Sequence, residues 1–210
     1  MDFMAHRALL RNNLLLWLLF CIAFFSSSNY DDTPVVIAPL HTIATKKVNK
    51  AEAVNFKIIN GILMEGGTPF SGTLFTLFAE TYDTSEIANY YNGKEDGEWK
   101  KFYPSKKLRE KRFFKDGSKT GEYLVWWENG NQQMQYFFVA DEYQGICKEW
   151  SQTGFLNKIM TYKKGHEDGH QQWWYDNGKI KANYMIIDGR RYGLLGTKNC
   201  VNVSDSIFKN

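Results

Sequence analysis

A glycine recurs every 24 residues along most of this chain, at Gly97, Gly121, Gly145, Gly169 and Gly193, and Gly72 opens a looser copy 25 residues before Gly97. A fixed period of this length marks a repeat architecture. Each unit is one supersecondary element too small to bury its own apolar face, so it must stack on its neighbours. The period therefore constrains the fold strongly and the chemistry hardly at all.

Other positions keep step with the glycine. Five residues after it stand Phe102, Trp126, Trp150 and Trp174, with Leu77 in the first copy. Nine residues after it come Gly130, Gly154 and Gly178, with Lys106 in the second copy. Phe114, Phe138, Tyr162 and Ile186 follow at seventeen residues, and Gly117, Asp141, Gly165 and Gly189 at twenty. Aromatic and β-branched stretches such as Gly121 to Trp127 suit strands. Glu128-Asn129-Gly130 and Asp176-Asn177-Gly178 signal tight turns, with a weaker copy at Gln152-Thr153-Gly154. Gln132 to Val139 reads as the returning strand and Ala140 to Gln144 as the link to the next unit. The expected fold is all-β: tandem β-hairpin repeats of 24 residues forming an elongated antiparallel meander sheet. Glycines interrupt the chain too often for a helix.

These residues also carry a resemblance. Tyr91 to Tyr103 and Gly169 to Gly178 look like MORN repeats, and more closely like the variant found in bacterial proteins of the YwqK-type antitoxin-component family. The likeness runs from about Gly61 to Gly193. It implies a non-enzymatic scaffold that binds proteins or lipids, with no catalytic residues to carry over. The family label also implies an alternative role, an antitoxin or immunity-type protein that neutralises a toxin.

The N-terminus is of another kind. Arg7 and Arg11 precede the apolar run Leu14 to Phe25, and Ser26-Ser27-Ser28 follow. Twelve apolar residues fall short of the roughly 20 that span a bilayer. A basic flank, a short apolar core and small residues at its end describe a secretory signal peptide over 1–28. A lipoprotein signal ending at Cys21 and an uncleaved membrane anchor are the competing readings. Residues 29–55, with Pro34 and Pro39, form a tether or peripheral strand; 56–195 are the repeat domain, opened by a capping hairpin around Asn60-Gly61; and 196–210 are a C-terminal tail. The expected location is exported: periplasmic, cell-envelope or extracellular.

Few residues suggest chemistry. His166-Glu167-Asp168-Gly169-His170 matches the zinc-protease pattern, which needs both histidines on one helix face. Here it falls on a link between hairpins and includes the repeat glycine. The earlier link Gly93-Lys94-Glu95-Asp96-Gly97 has the same shape, so the match is a by-product of the repeat. No metal, cofactor or catalytic residue is assigned. Once the signal is removed, Cys147 and Cys200 are an even pair that allows one disulfide in an oxidising compartment, or leaves Cys147 a buried thiol. The second repeat carries Lys100, Lys101, Lys106, Lys107, Arg109, Lys111, Arg112, Lys115 and Lys119. This cluster either engages an anionic envelope component or acidic protein, or keeps the sheet soluble and unpaired at its edges. Nucleic acid fits poorly with export, and the net charge of +3 demands no polyanion. The doublets Trp126-Trp127 and Trp173-Trp174 each turn one ring to either face. The binding candidates are Trp99, Trp127, Trp173, Lys106, Lys107, Lys111 and Arg112.

Overall fold

The computed structural model describes residues 40–196 and is built almost wholly of β-strands. The signal region, most of the C-terminal tail and Cys200 lie outside the described residues. A short strand β1 (Lys47–Asn49) and a 3-10 turn (Lys50–Glu52) lead into β2 (Phe56–Ile59), β3 (Ile62–Glu65) and β4 (Thr68–Pro69), which form a small sheet of their own. The repeats then supply β5 (Gly72–Leu77), β6 (Thr84–Tyr91), β7 (Lys94–Glu95), β8 (Gly97–Phe102) and β9 (Leu108–Lys115). They continue with β10 (Ser118–Trp126), β11 (Gln132–Val139), β12 (Glu142–Tyr143), β13 (Gly145–Trp150) and β14 (Leu156–Lys163), and close with β15 (His166–Trp174), β16 (Ile180–Ile187) and β17 (Arg190–Leu194). From β5 to β17 the strands follow one another antiparallel in sequence order, the short β7 pairing only with β6 and the short β12 only with β11, which is the expected meander. The sheet departs from a pure antiparallel meander at one edge, where β1 runs parallel to β5, Lys47 opposite Thr73.

Two kinds of turn alternate along the meander, and the structure redistributes them relative to the sequence reading. At Asn129-Gly130 only the glycine takes positive φ, at 95°. The Trp127 N–H donates to the Asn131 carbonyl and the Gly130 N–H to the Trp127 carbonyl, both at 2.8 Å. That is a three-residue hairpin loop closed by a glycine bulge, and the Asn129 side chain accepts the Asn131 N–H at 3.0 Å. The same bonding recurs at Tyr103–Lys107, Ser151–Phe155 and Tyr175–Lys179. In the second repeat Lys106 takes the glycine's place, at φ 65°. The tight two-residue turns lie instead at the links: Asn92-Gly93, Asp116-Gly117, Ala140-Asp141, Lys164-Gly165 and Asp188-Gly189. Both residues of each have positive φ, as the handedness of a tight hairpin requires. The stretch Ala140 to Gln144 is thus no loose connection but a hairpin in its own right, with β12 paired to β11.

The repeat glycine has a separate task. Opposite it, each ladder takes two extra residues. Phe113 pairs with Thr120 and Lys111 with Leu124, so one residue of β9 faces three of β10. The same slip separates Tyr162–Glu167 from Met160–Gln171, and Tyr90–Glu95 from Ile87–Lys100. Gly97, Gly121, Gly145 and Gly169 sit inside these bulges with φ between 69° and 85°. The bulge carries each link turn over the preceding repeat. The Gly117 N–H reaches the Glu95 carbonyl at 2.8 Å, Asp141 reaches Lys119 at 3.0 Å, and Gly165 reaches Tyr143 at 3.0 Å. The residue ahead of the glycine caps the next turn, as when Asp96 accepts the Asp116 N–H and Gln144 the Lys164 N–H, each at 3.0 Å.

The core is one face of this sheet. Phe114, Val125, Tyr136, Phe138, Cys147, Met160, Ala182, Tyr184 and Ile186 are buried on it. With no second layer behind them among the described residues, large rings supply the buried area by packing on one another: Tyr123 on Phe138, Phe138 on Tyr143 and Tyr143 on Tyr162, with centroids 6.1, 4.8 and 5.1 Å apart.

Ala140 holds φ 48° on an exposed turn. A left-handed L-residue costs about 1–2 kcal/mol, partly offset by the roughly 0.5–1 kcal/mol of chain entropy that a glycine loses. Ala140→Gly is therefore expected to stabilise the protein by about 0.5–1 kcal/mol, seen as a higher urea midpoint at unchanged m-value.

Candidate functional site

The second and third repeats gather most of the sequence-derived candidates. Trp99 on β8 and Arg112 on β9 are directly opposed, so their side chains share the core face. The Trp99 indole N–H donates to Glu86 at 2.7 Å, and its ring lies 5.0 Å from Phe114. The Arg112 guanidinium stands 5.4 Å from the Trp99 ring and 5.2 Å from Tyr123, and pairs with the buried Glu110. Arg112 thus bridges the ring ladder across a repeat boundary, an arrangement that a planar, weakly hydrated cation allows.

The other candidates are scattered. Lys106 and Lys107 are exposed at the β8–β9 loop, where Lys106 pairs with Asp83 at 2.9 Å and Lys107 donates to the Glu128 carbonyl at 2.9 Å. Lys111 lies on the opposite face beside Glu98 and 5.4 Å from the Phe113 ring. Trp127 is half-buried, and its indole N–H donates to the Trp150 carbonyl at 3.1 Å, a rung between successive repeats. Tyr103 makes the equivalent bond to Trp126 at 2.9 Å. Trp173 is half-buried between two core clusters. The structure therefore brings together Trp99 and Arg112, and holds Trp127 and Trp173 elsewhere as packing rings. It adds Lys119, Tyr123 and Tyr143 beside Arg112. Lys119 stands in the basic run, but nothing in the run itself distinguishes it from the other lysines.

A second polar cluster joins the N-terminal segment to the repeats. Asp96 is fully buried and accepts the His41 backbone N–H, the His41 ring Nδ1 and the Asp116 N–H, all at 3.0 Å. His41 stacks on Tyr91 with centroids 4.0 Å apart. Ligand atoms of His41, Asp96 and Asp116 lie within 4.8 Å of one another, as a cation site requires. The Lys115 ammonium, however, sits 2.8 and 3.1 Å from the two ring nitrogens of His41 and 3.7 Å from Asp96, and supplies the positive charge itself. Burial by itself would raise the Asp96 pKa. The hydrogen bonds from Asp116 and His41, with the Lys115 charge, outweigh it and hold the carboxyl below its usual range.

His166 to His170 lie on strand β15, so the two histidines do not share a helix face. Glu167 accepts from the Tyr184 hydroxyl at 3.2 Å and from Arg191 at 3.0 Å, and the His170 ring meets the Asn183 side-chain oxygen at 2.7 Å. Cys147 is a free thiol with no exposed surface in the described structure. Burial, with Glu149 adding to it, pushes its pKa up to about 11.

With this geometry in view, two stretches of the chain, residues 95–116 and 167–184, match the family described as the MORN repeat variant. Each contains a bulge glycine and its strand pair, and their starts lie three 24-residue periods apart. These two stretches are thus similar to MORN-variant repeats. No curated protein matches the chain at a significant level. A solved structure described as accessory secretory protein 1,2 and 3 in Streptococcus pneumoniae is similar over 65% of this chain and 21% of that chain, at 14% identity and a TM-score of 0.17. At that score the likeness says nothing of this chain's fold or function. No helix among the described residues is long and apolar enough to cross a membrane.

Two outcomes are expected from these sites. Because the Asp96 pKa is lowered on folding, its contribution is full above the unfolded value near 4 and is lost as pH falls through the folded value. Asp96→Asn is expected to cost about 1–3 kcal/mol at neutral pH and to flatten the decline in stability below pH ~4, checked by urea titrations across pH. With Cys21 and Cys200 replaced by serine, Cys147 is expected to resist aromatic disulfide reagents in the native protein and to react as a single thiol in denaturant.

Proposed function

We propose that this chain is an exported, non-catalytic repeat scaffold that binds a protein or an anionic envelope component. The observation that carries the reading is how the repeats use their polar groups. Backbone and ring donors join one repeat to the next, as with Gly117 to Glu95 and Trp127 to Trp150. Cations of the second repeat remain at the surface, Lys106 and Lys107 among them. Such a surface attracts an acidic partner and, being held by a rigid ladder, presents its charges at little entropic cost. Export rests on the N-terminal sequence. The toxin-neutralising role is the same surface with a toxin as its partner.

Capture tests this reading. The tagged full chain, purified from the envelope of its native host, is expected to retain one stoichiometric protein partner. Retention should fall when Lys106, Lys107 and Lys111 are changed together to glutamine. A blank capture, or one indifferent to that change, removes the reading, and the identity of a captured partner shows whether it is a toxin.

A further inference from the structure

The ladder gaps made by the repeat bulges are not all filled alike. At the β6–β8 gap the Asn89 side chain donates to the Glu98 carbonyl at 2.7 Å. At the β14–β15 gap the Thr161 hydroxyl donates to the His170 carbonyl at 3.0 Å, and Gln171, with no exposed surface, donates to the Thr161 carbonyl at 2.7 Å. The equivalent position in the second repeat is Phe113, a side chain with no donor to give. There, between β9 and β10, lies a cavity of about 160 Å³ lined by Arg112, Phe113, Lys119, Glu122, Tyr123 and Phe138, among others.

The charge of this cavity is specific. Arg112 is balanced by Glu110. The Lys119 ammonium lies 5.5 Å from the Phe138 ring, and no described carboxylate comes within ion-pair distance of it. Glu122 is exposed, where its charge is screened. One uncompensated cation beside aromatic walls suits a monoanion on an aliphatic stem better than a doubly charged phosphate. The volume is about five waters' worth, well below the 300 Å³ or more of a small-molecule site. It has room for a single carboxylate side chain.

We propose that this gap is a recognition pocket for a glutamate side chain of an acidic partner segment. Lys119 pairs with the carboxylate, Arg112 donates at its inner wall, and Tyr123 and Phe138 cover the methylenes. The inference rests on the binding-scaffold reading and deepens it by naming the partner's chemistry.

The test measures binding of fluorescent hexaglutamate and hexaglutamine peptides to the full chain by anisotropy. The wild type is expected to bind hexaglutamate and not hexaglutamine. Lys119→Gln should weaken hexaglutamate binding at least tenfold and Lys119→Arg should restore most of it, whereas the double change Lys50→Gln and Lys57→Gln, at exposed lysines outside the repeats, should leave it within twofold. Circular dichroism confirms that each variant is folded. No hexaglutamate binding by the wild type, or equal losses in the Lys119 and Lys50/Lys57 variants, overturns the pocket. So does Lys119-dependent binding to phosphatidylglycerol vesicles without binding to the peptide. A captured envelope partner whose retention ignores Lys119→Gln removes the pocket and leaves the scaffold standing. A blank capture beside Lys119-dependent peptide binding removes the scaffold reading and keeps the pocket.

Discussion

The two-residue slip at each repeat glycine is the constraint on which the rest of the structure depends. A plain meander would pair every residue, and its turns would have nothing to rest on. The slip between β9 and β10, and its counterparts between β6 and β8 and between β14 and β15, leaves extra backbone in one strand. A bulge of this kind bends and twists its strand. Here it sets each link turn where the turn can donate to the strand of the preceding repeat. The glycine's freedom at positive φ is what permits it.

Two consequences reach the surface. Among the described residues the sheet has no second layer and little depth to bury, so rings stacked along one face and hydrogen bonds between successive units hold it together. Trp99, Trp127 and Trp173 are drawn into that task, each half-buried. Every bulge also opens the ladder, and an opened ladder leaves a carbonyl to be satisfied. Asn89 and Thr161 do so near the two ends of the array, while Phe113 and Phe137 between them do not. At the Phe113 gap the repeat's cations also meet its rings.

Much of the fold was legible in the sequence because the structural demand repeats with it. Positions seventeen after the glycine, such as Phe114, Phe138 and Ile186, are core because the same strand position faces the same side in each unit. The turns were legible in place but not in kind. Asn129-Gly130 suggests a two-residue turn, yet one more residue in the loop leaves only the glycine at positive φ. Ala140-Asp141 contains no glycine, and its tight turn is imposed by the pairing of β11 with β12. The candidate site was legible only in part. Arg112 was one of four cations of the second repeat named as candidates, with Lys106, Lys107 and Lys111, whereas the company of Lys119 depends on which rings the bulge brings beside it.

The sequence by itself determined the period, the all-β hairpin unit and the residues that face inward, because local turn chemistry and alternation act over a few residues and recur. It also carried the likeness to the MORN repeat variant, a likeness of repeat units. Tertiary structure alone decided the parallel strand β1, the docking of His41 on Asp96 and the unfilled gap at Phe113. Those features join residues distant in the chain, Lys47 with Thr73, His41 with Asp96 55 residues on, and Lys119 with Phe138, and no local spacing encodes them. They arise when stacked repeats bring a buried carboxylate, a bulge and a ring ladder into one place.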